Sequence, residues 1–257
     1  MKVHLATTTI LLSIFMTISV QAQKTDPQTA ASINVIEFRN YLLKPGSTER
    51  FHTLFNNEFV APMRELGGYT AGQFQIEGES DHFVWIRAFE NMSTRLAFLN
   101  AFYLNSPIWK KYRPEANSMI VNNDNVYLLK PLDPGGLALD DIEKKGSILV
   151  VDFYVSNGHL DETVGLIRNE YVPFLNSKNL PTPTLFVSEL SENKFPQLPA
   201  FQDTNLLVAM TAFENEQTYR SKIARIDSPE PAMKNKMLGL ITTHSRLVLH
   251  STNTGDK

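Results

Sequence analysis

The sequence predicts an α+β protein: two tandem copies of one strand-helix-strand-strand-helix-strand plan, packed sheet to sheet as a barrel. Three observations carry this. First, short segments recur. Asn57-Glu58-Phe59-Val60 returns as Asn169-Glu170-Tyr171-Val172 at an offset of 112, and Ala88-Phe89-Glu90-Asn91 returns as Ala212-Phe213-Glu214-Asn215 at 124. Ser106-Pro107 answers Ser228-Pro229 at 122, and Val126–Leu129 answers Leu247–His250 at 121. Second, the apolar period switches between two and about 3.6 in the same order in both copies. Third, a sheet with helices on one side leaves its other face bare, and two such units bury those faces against each other.

Residues 1–22 read as an export signal: Lys2, a short apolar run Ile10–Val20, and small residues at Val20-Gln21-Ala22 before a cut at Gln23. The run is too short to span a bilayer, and Thr7-Thr8-Thr9 suits a signal better than a buried helix. A periplasmic or secreted location is expected, with no membrane association after cleavage. The chain has no cysteine, so it has no disulfide, thiolate metal site or cysteine nucleophile. Its formal charge of −3, without a basic block, argues against nucleic acid as a partner.

The first copy spans 34–131. Ile36–Gly46 alternates as a strand and stops at Pro45-Gly46. Phe51, Leu54, Phe55, Phe59, Met63 and Leu66 follow helical spacing, and Gly67-Gly68 ends that helix. Strands fit 70–77 and 82–89, with the turn near Gly78. Met92, Leu96, Leu99 and Tyr103 mark a second helix; Asn91-Met92-Ser93 is either a glycosylation sequon or that helix's cap. Ser106-Pro107 opens a third helix, and Met119–Leu129 closes as a strand. Residues 132–147, with Pro134 and Gly135-Gly136, form the linker. The second copy, 148–252, runs in parallel: a strand at Ile148–Val155, a helix through Leu160, Val164, Ile167 and Tyr171, strands near 184–190 and 205–213, a helix near 216–226, and a close over Leu238–His250. About a dozen extra residues fall in the run Pro181–Pro199. Pro62 and Pro173 are expected to kink or end their helices.

On the first strand Glu37, Arg39 and Tyr41 share one face; Ile36, Phe38 and Leu42 share the other. The apolar set is expected to meet the helices and the polar set to line the barrel. Phe83, Trp85, Arg87 and Phe89 alternate likewise. Trp85, Arg87 and Arg39 would make a planar, cationic wall suited to an aromatic or carboxylate-bearing ligand. The competing reading is a structural network in which Arg39 pairs with Glu37 or Glu90, because buried charges require partners. At an offset of 112, Arg39 meets Val151 and Tyr41 meets Phe153; at 124, Trp85 meets Ala209 and Arg87 meets Thr211. The second copy therefore reads as the apolar half.

The ordered set Glu37-Phe38-Arg39-Asn40-Tyr41 through Pro45-Gly46, Phe59-Val60-Ala61-Pro62, Gly68…Gly72-Gln73-Phe74, and Trp109…Arg113 before a closing strand to Pro131 resembles the NIPSNAP family. The resemblance covers most of the first copy and, more weakly, the second. It implies two tandem ferredoxin-like repeats packed as a dimeric-type α+β barrel. The wider superfamily it implies includes cofactor-free monooxygenases, haem-degrading enzymes and relatives of chlorite dismutase, all with a small-molecule cavity. The family tends to carry a histidine and a tryptophan on the strand before Phe89-Glu90-Asn91-Met92; here Trp85 and Arg87 take those positions, so the histidine is missing.

The expected function is thus binding of a small aromatic or acidic molecule through Glu37, Arg39, Tyr41, Trp85 and Arg87. Alternatives are a cofactor-independent oxygenase or isomerase, or a haem-binding protein using His82 or His244. No histidine pair has metal-ligand spacing, and no nucleophile elbow or phosphate loop occurs. No cofactor or metal is expected. A homodimer is open, with Trp109 and Tyr112 as either core or contact residues.

Overall fold

The computed structural model describes residues 33–133, 144, 146–226, 229 and 231–252. The export signal at 1–22, most of the linker and Ser228 lie outside the described residues.

The first half runs β1 (Val35–Leu43), α1 (Thr48–Leu54), a π-helical turn (Phe55–Phe59), α2 (Val60–Glu65), β2 (Tyr69–Ile76), β3 (Glu79–Phe89), α3 (Met92–Leu99), a second π-helical turn (Asn100–Asn105), α4 (Pro107–Met119), β4 (Ile120–Asn122) and β5 (Val126–Pro131). The second half runs β6 (Ile148–Ser156), α5 (Leu160–Leu166), a π-helical turn (Ile167–Tyr171), α6 (Val172–Ser177), β7 (Thr184–Ser188), β8 (Leu206–Phe213), α7 (Glu216–Ile226), α8 (Pro231–Leu240) and β9 (Ile241–Ser251). Neither Pro62 nor Pro173 ends its helix. A π-helical turn stands just before each of α2 and α6, so the missing proline N–H falls where the helical ladder is already re-spaced. Asn91 is used as a cap: its side chain accepts from Ser93 N and Thr94 N, both at 2.9 Å, and Thr94 Oγ1 accepts in return from Asn91 N.

The strands pair in the order β3-β2-β9-β6-β8-β7-β5-β1, and β1 also pairs with β3, so the sheet closes on itself. All of these pairings are antiparallel. β4 extends the β5 side of β1 after the break at Asn123–Asn125. Each half contributes four strands in one order, β5-β1-β3-β2 and β9-β6-β8-β7, and the halves join through β2–β9 and β5–β7.

Ile36, Phe38, Ile86, Val151, Phe153 and Val208 belong to one cluster that fills the barrel. Two further clusters lie between the sheet and the helices of each half. The expected facing of β1 is therefore reversed. Its apolar set fills the barrel, while Glu37, Arg39 and Tyr41 lie beneath the helices with Trp85. Alternation says which residues share a face, but both faces of a closed, helix-covered strand are buried, so hydrophobicity alone does not orient it.

The expected correspondence between the two halves also needs correcting. β1 and β6 have the same burial pattern when Val35 is set on Ile148, an offset of 113. The π-helical turns Phe55–Phe59 and Ile167–Tyr171 keep the offset of 112, because the loop after β6 is one residue shorter. Arg39 thus answers Asp152, and Tyr41 answers Tyr154. One residue of slip turns every strand side chain to the opposite face, so the second copy is not apolar where it was expected to be.

Candidate functional site

Antiparallel register sets Glu37 beside Arg87 and Arg39 beside Trp85. All four side chains are buried, and so is Arg95 of α3. Glu37 is the common acceptor. It receives Arg39 Nη1 at 3.1 Å, Arg87 Nε at 2.9 Å and, more closely still, Arg87 Nη2; its other oxygen receives Arg95 Nε at 2.7 Å. Burial opposes its ionisation, but Arg87, Arg39 and Arg95 together outweigh that and hold the carboxyl far below the usual range. The expected partner Glu37 is thus Arg39's ion pair, and the network has three guanidinium groups for one carboxylate.

The surplus charge is aimed through phenols. Arg39 Nε donates to Tyr41 Oη at 2.9 Å, and Arg87 Nη1 donates to Tyr103 Oη at 3.2 Å. Each hydroxyl spends a lone pair on an arginine and keeps its proton. Burial raises the pKa of Tyr41 against the pull of Arg39, so its phenol stays protonated. Three buried nitrogen donors have no partner among the described residues: Arg39 Nη2, Arg95 Nη2 and Trp85 Nε1.

Tyr41, Trp85 and Tyr103 form part of the wall of a cavity of about 340 Å³ between the sheet and α1, α2 and α4. Phe55, Phe59 and Phe102 supply apolar surface, and Trp109 and Arg113, one helical turn apart on α4, line it as well. Trp109 is thus a cavity and core residue, packed on Phe59 and Phe102 at ring distances of 5.5 and 5.7 Å. Glu37, Arg39 and Arg87 sit behind the wall, not on it.

The remaining wall comes from the other half. The segment between β7 and β8, which holds the second copy's extra residues, reaches across so that Phe195, Gln197 and Leu198 line the cavity. It is fastened by Asn193, which accepts from Arg95 Nη1 at 2.9 Å and donates to Leu198 O at 2.9 Å. The first half's counterpart is the tight β2–β3 turn at Gly78, whose φ of +79° suits glycine. Sequence reading set the extra residues at Pro181–Pro199, a run that includes β7, whereas the long connection is 189–205. Nothing local in 189–205 says which half it crosses to. Arg95 and Tyr103 were likewise missed, since each looks like an ordinary helix residue.

The histidines are elsewhere. His82 Nδ1 meets Asn40 Oδ1 at 2.7 Å and its Nε2 meets Glu79 Oε2 at 3.2 Å, so both ring nitrogens are engaged. His244 lies in the second half against Asp152 at 2.7 Å. Among the described residues no group of three or more histidine, aspartate or glutamate side chains is arranged to hold a metal ion, and no helix is long and apolar enough to cross a membrane.

No curated protein matches the chain by sequence. Solved structures match over nearly its whole length. A provisionally named monooxygenase from Fusobacterium nucleatum aligns with a TM-score of 0.58 at 8% identity, covering 86% of this chain and 93% of the other. A second provisionally named monooxygenase, from Lactobacillus acidophilus, gives 0.54 at 10% identity over 85% and 94%. An anthrone oxidase-like protein gives 0.52 at 9% identity over 87% and 92%. At such identities these likenesses speak for the α+β barrel architecture alone. The NIPSNAP family model matches residues 36–133 of this chain, from the start of β1 to just past β5, and they are set in an α+β barrel.

Proposed function

We propose that this is an exported binding protein, made of two ferredoxin-like repeats, that holds a small aromatic anion in the first half's cavity. The observation that carries the ligand is the pair of arginine-backed phenols, Tyr41 and Tyr103, together with the unpartnered Trp85 N–H, around a ring-lined space. A carboxylate there would accept from those donors, while the excess guanidinium charge behind them acts in a low-dielectric setting. The aromatic walls select a flat, apolar body. A volume of about 340 Å³ lies at the small end of ligand pockets, which span about 300–1,000 Å³.

The oxygenase or isomerase reading finds support in the names of the structural neighbours, but needs a base. The described residues lining this cavity include no aspartate, glutamate or histidine, and a phenol with a raised pKa is a poor proton acceptor at neutral pH. Binding is therefore the better reading of this cavity.

Both tryptophans of the chain, Trp85 and Trp109, line the cavity, so intrinsic fluorescence reads its occupancy. Titration with 1-naphthoate is expected to change emission saturably. Arg39→Met is expected to weaken naphthoate at least tenfold while leaving neutral 1-naphthalenemethanol within a factor of two. Equal naphthoate affinity in parent and variant would refute the anion site. Export is tested separately, by sequencing the N-terminus of the secreted chain: a start at Gln23 supports it, and retention of residues 1–22 removes it.

A further inference from the structure

A second cavity, of about 370 Å³, lies in the other half at the position that answers the first. Tyr154 lines it as Tyr41 lines the first, and Tyr171, which answers Phe59, lines it too. Its chemistry differs because Asp152 stands where Arg39 stands in the first half.

Asp152 is buried, and β9 passes beside it so that Arg246 is its register partner and His244 is that of Tyr154. Arg246 donates to both carboxylate oxygens, Nε at 2.7 Å and Nη2 at 3.2 Å. His244 Nε2 meets Asp152 Oδ1 at 2.7 Å. An arginine-paired carboxylate only accepts, so Nε2 carries a proton, and in the neutral ring Nδ1 is the nitrogen with the lone pair. Among the described residues Nδ1 has no partner. The imidazole is also held in plane, stacked on Tyr154 at 4.6 Å and 11°. Asp152 and Arg246 neutralise each other, so the inner end carries no net charge while His244 is neutral. Met237, Leu238 and Ile241 supply an apolar wall, and Lys234 stands among the lining residues.

We propose that this second cavity is a proton-accepting site for a small neutral ring compound bearing one acidic O–H or N–H, with His244 Nδ1 as the acceptor. The ligand's O–H bond breaks, an N–H bond forms on Nδ1, and the electron pair stays on the ligand oxygen. The new imidazolium is balanced by the ligand anion and steadied by Asp152. Tyr154 supplies the stacking platform. Asp152 is a positioning residue, since it fixes the tautomer and does not reach the ligand. The inference is independent of whether the first cavity takes an anion.

The full chain is titrated into 4-nitrophenol at a pH where the free probe is mostly neutral, and the phenolate absorbance is followed. A saturable rise is expected, with at least a tenfold loss in His244→Gln and in Met237→Trp, which fills the cavity. In the unaltered chain, ¹⁵N-histidine spectra are expected to show one ring gaining a proton as the probe saturates. Absence of a saturable rise, a rise retained in His244→Gln, or histidine spectra unchanged at saturation would each overturn the proposal.

Discussion

Replacing Glu37 by glutamine tests the network on which the first site rests. Glu37 accepts four hydrogen bonds from three arginines and is fully buried. The amide removes the only carboxylate among the described residues in contact with those guanidinium groups and puts an N–H₂ where one acceptor was. Removing one partner of a buried ion pair costs about 3–5 kcal/mol, because the remaining charge stays desolvated. Domain stabilities run about 5–15 kcal/mol, so the variant is expected to fold with a much reduced margin. With a urea slope of about 2–3 kcal/mol/M, the midpoint should fall by about 1–2 M, followed by circular dichroism at pH 7. The pH dependence adds a second reading. The folded carboxyl titrates far below its ordinary value, so its contribution is complete above about pH 4.3 and is lost as pH falls from there towards the lowered folded value. The gap between parent and Glu37→Gln should be full at neutral pH and narrow below pH 4. A midpoint shift under about 0.3 M at pH 7, where about 1 kcal/mol or less is lost, would refute the claim that one carboxylate holds three arginines.

Two further outcomes follow from single contacts. Asn193→Ala removes the acceptor for Arg95 and the clamp on Leu198; a hydrogen bond to a charged group is worth about 1.5–3 kcal/mol. Naphthoate should then bind at least several-fold more weakly by tryptophan emission, and unchanged affinity would show that the β7–β8 segment merely rests on the cavity. Gly68→Ala would place a Cβ 2.3 Å from the Phe98 ring; overpacking of this kind costs about 1–3 kcal/mol, so the thermal midpoint should drop, and an unchanged midpoint would mean that Phe98 moves aside freely.

Much of this protein was written locally. Alternation in Ile36–Leu42 and Phe83–Phe89 made strands, and it put Glu37, Arg39 and Tyr41 in one row and Trp85 and Arg87 in another. The turn at Gly78, the cap at Asn91 and the helix start at Ser106-Pro107 follow from backbone and capping chemistry within a few residues. The recurrence of Asn57–Val60 and Ala88–Asn91 set the expectation of two copies, and the sheet divides into two sets of four strands in one order.

What these patterns leave open is long-range. Period two says that Arg39 and Phe38 point apart, but only closure of the ring through β1–β3 and β2–β9 decides that Phe38 fills the barrel and Arg39 lies beneath the helices. The tetrapeptide matches set an offset of 112, whereas the burial patterns of β1 and β6 agree at 113. That one residue, taken up in the shorter loop after β6, sets Asp152 and Tyr154 on the helix-covered side of the second half. Asn193 reaching Arg95, and His244 reaching Asp152, join residues about a hundred apart in the chain. Such contacts depend on which strands become neighbours, and that is settled by packing the whole sheet at once.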